Sequence, residues 1–99
     1  MKGFIQNLNK AFENRIRLGI MSVLMVNEKV DFNTLKETLN ITDGNLASHA
    51  SALEKLKYLE VQKQFIGKKP NTTYQATEIG KRAFNEHLKA LEILIKQGK

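Results

Sequence analysis

Two amphipathic segments separated by only three residues restrict the folds that are open to this chain. The apolar residues of the first segment recur at helical spacing: Phe32, Leu35 and Leu39. Those of the second segment, residues 43–57, do the same: Leu46, Ala50, Leu53 and Leu56. Asp31 and Thr42 precede the two segments, and both are residue types that cap helix N-termini. Because Asn40-Ile41-Thr42 is too short to separate two helices widely, the sequence predicts a helix-turn-helix unit.

The flanking segments complete the predicted order of elements. Residues 4–26 carry the apolar stripe of a helix, and Asn9 or Asn14 is a candidate break, which leaves one long helix or two open. Val30 is a candidate for a very short strand. The alternating residues 61–66 and the residues 73–76 flank a turn-forming stretch, 67–71, and predict a β-hairpin, after which Thr77 caps a last helix over residues 78–96. We therefore expect one domain, residues 1–99, that is mainly α with a small β-hairpin (α+β).

Positive charge is concentrated in one part of the chain. The 16 Lys and Arg exceed the 10 Asp and Glu by six, yet residues 1–54 are neutral and residues 55–82 alone hold a net charge of +5. A local field of this kind attracts a polyanion such as nucleic acid. A Lys-rich surface that only keeps the protein in solution is the alternative interpretation.

The side of helix 43–57 opposite its apolar residues is small and polar. Its outward residues are Asn45, Ser48, Ser51, Ala52 and Lys55, with Ala47 and His49 at the flanks. An α-helix fits the major groove of DNA, where short polar side chains reach base edges. The hairpin tip carries Lys68, Lys69, Asn71 and Thr72, which suit phosphates or the minor groove. A Lys-Lys turn alone is usually a solvated loop, and its significance here comes from following a helix-turn-helix directly.

Catalytic and metal chemistry have little support in the sequence. The chain has no Cys, its two histidines, His49 and His87, have no evident third ligand, and no nucleophile motif surrounds any Ser. We expect no enzyme activity, no cofactor and no metal site. No apolar run approaches the ~18 residues of a membrane span and no secretory segment is evident, so we expect a cytoplasmic protein with no membrane partner.

The ordered set of motifs resembles the winged helix-turn-helix transcriptional regulators of the MarR/ArsR-like superfamily, and is most similar to their short, single-domain branch. The resemblance covers about residues 14–84 and is carried by five stretches: 14–18, 31–36, 42–54, 67–74 and 77–84. It implies an element order in which the hairpin is a wing, and a homodimeric regulator that binds a roughly palindromic operator. The recognition residues that it implies are Asn45, Ala47, Ser48, His49 and Ser51, and the wing contacts are Lys68, Lys69, Asn71 and Thr72. Lys57 and Asn40 stand where the family often has Gly, so a positive φ is expected at both.

Dimerisation has independent support, because the last helix has a broader apolar stripe than a 99-residue monomer can cover. The candidate interface residues lie in helices 4–26 and 78–96: Phe4, Ile5, Leu8, Leu88, Leu91, Leu94 and Ile95. The alternative is that both stripes complete the core. A dimer would place two recognition helices about 34 Å apart, one turn of DNA.

The leading hypothesis is a sequence-specific regulator of double-stranded DNA that represses by steric exclusion. A winged helix protein-protein interaction module without DNA binding is the alternative. RNA binding is disfavoured because Tyr58, Phe65 and Tyr74 are expected to pack and leave no stacking platform. A small-molecule effector between the dimer helices stays open.

Overall fold

The computed structural model describes residues 5–97 and contains the elements in the predicted order. Two 3-10 turns, Ile5–Asn7 and Lys10–Glu13, come first. The remaining elements are α1 (Arg15–Val26), β1 (Val30–Asp31), α2 (Phe32–Leu39), α3 (Asp43–Lys55), β2 (Leu59–Ile66), β3 (Lys69–Ala76) and α4 (Glu78–Gln97). None of the helices over residues 5–97 combines the length and apolar character needed to cross a membrane. Phe4 lies outside the described residues.

The alternative of a break at Asn14 is confirmed, but residues 5–13 form 3-10 turns rather than the predicted helix, because both candidate asparagines interrupt it. The Asn9 side chain accepts a hydrogen bond from the Ala11 amide at 2.9 Å and caps the second 3-10 turn. The Asn14 side chain accepts from the Ile16 and Arg17 amides at 2.9 and 3.1 Å and caps α1. A 3-10 turn repeats every three residues, so it maintains an apolar stripe that resembles that of a helix.

The helix-turn-helix unit has the predicted capping residues. Asp31 Oδ1 accepts from the Thr34 amide at 2.8 Å, and this bond lowers the pKa of the Asp31 carboxyl. Asn40, at φ 53° and ψ 54°, ends α2 in the left-handed conformation. Thr42 Oγ1 accepts from the Asn45 amide at 3.1 Å and starts α3. A positive φ is likewise confirmed at Lys57, where φ is 68°.

The end of α3 differs from the prediction. The helix stops at Lys55, and the left-handed Lys57 turns the chain away from the helix axis. Leu56, which caps the helix and keeps α-helical backbone angles, is 46% exposed, so its predicted place in the core is wrong.

The three strands form one antiparallel sheet in the order β1-β3-β2. Pairing of β2 with β3 runs from Leu59 and Ala76 to Ile66 and Lys69, so the turn of the hairpin is only Gly67-Lys68. Gly67 has φ 65°, as such two-residue turns require. The predicted loop over residues 67–71 is thus shorter, and Lys69, Asn71 and Thr72 belong to β3 rather than to the tip.

The core lies where α1, α2 and α3 meet the base of the hairpin. Its fully buried large side chains are Ile20, Met21, Leu24, Leu35, Leu46, Leu53 and Leu59. Phe12 extends the core toward α4 by packing edge-on against Phe84, with ring centroids 5.2 Å apart. Tyr74 is buried and Tyr58 half-buried, as predicted, but Phe65 is 73% exposed and its predicted packing is wrong.

Candidate nucleic-acid interface

Helix α3 presents two different faces. Leu46, Ala50 and Leu53 are buried against the core. The remaining predicted recognition residues are exposed, apart from the half-buried His49 and Ala52: Asn45, Ala47, Ser48, Ser51 and Lys55. Because Ser48, Ser51 and Lys55 repeat at helical spacing, they form a stripe opposite the buried residues. The structure thus brings the predicted residues onto one open surface, while their contacts with DNA stay a prediction.

The start of α3 is fixed to α2 by an ion pair. Lys36 Nζ lies 2.8 Å from Asp43 Oδ1, and the bond to this carboxylate raises the pKa of Lys36. The Asp43 carboxylate is also favourably placed at the positive end of the α3 dipole. With the Thr42 cap, this pair sets the position from which Asn45 extends.

His49 is oriented by a residue that sequence reasoning missed. Arg17 of α1 donates from Nε to His49 Nδ1 at 3.1 Å. Because Nδ1 accepts, the neutral imidazole carries its proton on Nε2, which can then donate to a phosphate or a base acceptor. No local pattern relates positions 17 and 49, since their contact depends on how α1 packs against α3.

The wing is a separate region, and its charge is positive. All residues from 62 to 70 are exposed, including Lys63, Lys68 and Lys69, while Asn71 and Thr72 are half-buried. At ~3.3 Å per residue, the end of β2 lies about 23 Å along the strand from Leu59, at the far end of the hairpin from the core. Lys29, also missed from the sequence, donates from Nζ to Gln62 Oε1 at 3.2 Å and adds a cation near the base of the wing.

Helix α4 and the first 3-10 turn leave large apolar side chains exposed. Leu88 and Leu91 are each 43% exposed and Ile95 is 69% exposed, while Leu94 is half-buried. Ile5 is exposed and Leu8 half-buried on the N-terminal segment, and Phe4 is not described. These are the predicted dimer residues, and their role in an interface stays a prediction.

The N-terminal segment is held on α4 through His87. This buried side chain accepts at Nδ1 from the Asn9 amide at 3.0 Å, and Asn9 Nδ2 donates to Tyr58 Oη at 2.9 Å. A groove of about 710 Å³ opens beside this contact, between residues 6–10 and α4. Over residues 5–97 there is no group of three or more His, Asp or Glu arranged to hold a metal ion.

Comparison with known proteins shows the family. The chain matches the family model described as a winged helix DNA-binding domain over residues 16–95. It is 37% identical over 79 residues to an uncharacterised protein of Methanocaldococcus jannaschii, an alignment that covers 80% of this chain and 86% of that one.

Solved structures agree with this match. A transcriptional regulator homologue from Pyrococcus horikoshii OT3 superposes with a TM-score of 0.88 at 28% identity, over 98% of this chain and 97% of the other. NadR in complex with 4-hydroxyphenylacetate has the same fold, with a TM-score of 0.72 at 21% identity over 98% of this chain and 68% of that one. The chain therefore belongs to the winged helix DNA-binding domain family, and its fold is that of a DNA-binding transcriptional regulator.

Proposed function

We propose that the chain is a homodimeric, sequence-specific regulator of the MarR-like type that represses transcription by occupying double-stranded DNA. In this proposal α3 enters the major groove and the wing, residues 67–72, contacts the backbone or the minor groove. One observation carries the proposal: a firmly capped helix exposes a small, polar face next to the base of a cationic hairpin. The chain acts by binding, and no enzymatic step is part of the proposal.

The side chains of α3 have distinct roles in this arrangement. Asn45 pairs with the donor and acceptor on an adenine edge, and Lys55 contacts a phosphate. Ser48 and Ser51 are short enough to bring the helix backbone close to the bases. His49 donates from Nε2, since its other ring nitrogen is occupied by Arg17. Ala47 and Ala52 meet thymine methyl groups.

The lysines of the wing contribute affinity rather than sequence reading. Lys68 and Lys69 are exposed cations at the end of the hairpin, and such side chains neutralise phosphates whatever the base sequence. Asn71 and Thr72 lie further back on β3 and add hydrogen bonds to the backbone.

The dimer forms through the exposed apolar face of α4 together with the N-terminal segment. Leu88, Leu91 and Ile95 repeat at helical spacing, and the cost of leaving them in water is relieved by a second copy. A two-fold axis there gives a pair of α3 helices about 34 Å apart. A small effector that binds the groove between residues 6–10 and α4 would contact both parts of this interface.

Asn45→Ala and the double variant Lys68→Ala/Lys69→Ala test the two roles separately. Binding is measured by fluorescence anisotropy on a duplex that the wild-type chain enriches from random DNA, and on a random duplex. Asn45→Ala should cost ~1–3 kcal/mol on the enriched duplex only, because it removes a base contact. The double variant should weaken both duplexes alike and flatten the salt dependence by about two counterions. Equal loss on both duplexes for Asn45→Ala would contradict base reading by α3.

A charged residue in the apolar face of α4 tests the dimer. Leu91→Glu should convert the dimer to a monomer in light scattering and weaken operator binding. Ile79→Glu is the matched control, since Ile79 is half exposed on the same helix but faces away from Leu88. A wild-type chain that is monomeric would contradict the dimer, and one that retains no duplex at low salt would favour the protein-interaction module instead.

A further inference from the structure

We infer that the wing tip is an apolar wedge: Phe65 enters the minor groove, unstacks a base step and bends the DNA. This inference rests on the proposed function and adds an activity to it. It concerns Phe65, whose predicted packing the structure contradicts, and the neighbouring Ile66.

Phe65 and Ile66 are exposed because the hairpin extends beyond its sheet. β1 pairs only with Thr73 and Tyr74, so the part of the hairpin beyond Gln62 and Thr73 has no third strand. Phe65 is 73% exposed and Ile66 is 63% exposed. Phe65 pairs across the hairpin with Pro70, whose ring fixes the backbone opposite it.

The charges around these side chains identify the partner. Residues 61–77 contain Lys63, Lys68 and Lys69 and no acidic residue, so the apolar tip is surrounded by cations alone. The apolar face of α4 is different, because Glu86, Lys89, Glu92 and Lys96 mix both signs in the same turns. Mixed charge suits a second copy of the chain, whereas cations alone suit a polyanion.

The chemistry of DNA explains how an aromatic side chain serves such a site. The minor groove is about 6 Å wide, and apolar side chains inserted there separate base pairs at pyrimidine–purine steps, which are the most flexible. Phe65 supplies the wedge, Ile66 contacts the sugars, and the lysines hold the phosphates on both sides. Bending adds a sequence preference at base pairs that α3 does not contact.

The experiment measures DNA bending by energy transfer between dyes at the two ends of the enriched duplex. The wild-type chain at saturation should shorten the end-to-end distance by the equivalent of a 20–90° bend, about the range of known wedges. Phe65→Ser should abolish the change while weakening binding by about tenfold or less. Phe65→Leu should restore it, because Leu also acts as a wedge. Val26→Ala is the matched control, because it removes an exposed apolar side chain at the end of α1, outside the wing. This variant should bend the DNA as the wild type does.

Each outcome decides between alternatives. A wild-type complex that binds tightly but leaves the DNA straight, or a Phe65→Ser complex that bends it as before, overturns the wedge and leaves the proposed function standing. Absence of any DNA binding by the wild-type chain overturns both proposals. A Phe65→Ser variant that loses its dimeric state in light scattering would assign the tip to contacts between copies of the chain and overturn the wedge.

Discussion

Replacing Gly80 with Ala should destabilise the fold, although the same change normally stabilises a helix. Gly80 lies in the first turn of α4, where Ala is favoured over Gly by about 1 kcal/mol on propensity alone. A Cβ at this position would lie 2.0 Å from the Tyr58 carbonyl oxygen and 2.8 Å from its carbon. These are backbone atoms, so the overlap cannot be relieved by rotating a side chain, and α4 must move away from the segment before β2.

The loss follows from the bonds at this contact. The Thr77 amide donates to the Tyr58 carbonyl at 3.0 Å, and Thr77 Oγ1 donates to the Lys57 carbonyl at 2.6 Å. Breaking both costs about 2 kcal/mol, and the remaining overpacking costs about 2 kcal/mol more. After the propensity gain is subtracted, Gly80→Ala should lower the free energy of unfolding by about 3 kcal/mol, which lowers the melting temperature by about 12–24 °C.

Thermal and urea unfolding followed by circular dichroism measure this loss, with Gly44→Ala as the matched control. Gly44 lies in the first turn of α3, and a Cβ there would have no neighbour within 4 Å. Gly44→Ala should therefore raise the stability by about 0.5–1 kcal/mol. A Gly80→Ala variant that is as stable as the wild type would refute the backbone contact.

Three further changes test the local geometry by the same unfolding assays. Lys57→Gly should raise the melting temperature by about 4–8 °C, because Gly relieves a left-handed backbone that costs about 1 kcal/mol, whereas Lys57→Ala should not. Asp31→Ala should cost about 1 kcal/mol at pH 7, where the wild-type carboxylate caps α2. The hydrogen bond from the Thr34 amide lowers the pKa of Asp31. The difference in stability between the wild type and Asp31→Ala should therefore persist above pH ~4, and it should vanish at lower pH, as the carboxyl becomes protonated below its ordinary pKa near 3.8. Asn9→Ala removes the bonds to Ala11 and Tyr58 and should cost about 1–2 kcal/mol; an unchanged urea midpoint would mean that the N-terminal segment is not held on the fold.

The features that could be predicted from the sequence are those decided by a few neighbouring residues. Asp31, Thr42 and Thr77 each accept a hydrogen bond from the amide three positions after them, so the residue type alone indicates a helix start. Asn40 and Lys57 were expected to have positive φ on the basis of the family resemblance, and both do. Local patterns of this kind also made the order of the elements and the residues on the outer face of α3 predictable.

The features that could not be predicted depend on contacts between distant parts of the chain. Arg17 orients His49 across 32 positions, and Asn9 binds Tyr58 across 49. The N-terminal stripe looked helical because 3-10 turns place apolar residues at nearly the same spacing as a helix. An asparagine in such a stripe can cap a new turn or face solvent. The outcome depends on the hydrogen-bond partners of its side-chain amide, and for Asn9 the partner is Tyr58 Oη.

The two errors in core assignment, Leu56 and Phe65, have a common cause. Periodicity indicates which face of an element is apolar, but it does not indicate how far the surface that covers this face extends. Here the covering surface ends before the elements do, because the molecule is elongated, with extents of 55 × 25 × 21 Å. The ends of the hairpin and of α4 project beyond the shared core, so Phe65 and Ile95 are both largely exposed despite regular patterns. An apolar residue in register with the core but beyond its reach is available to a partner. From the charges beside such residues we propose the partner in each case: DNA at the cationic wing tip, and a second copy of the chain at the mixed face of α4.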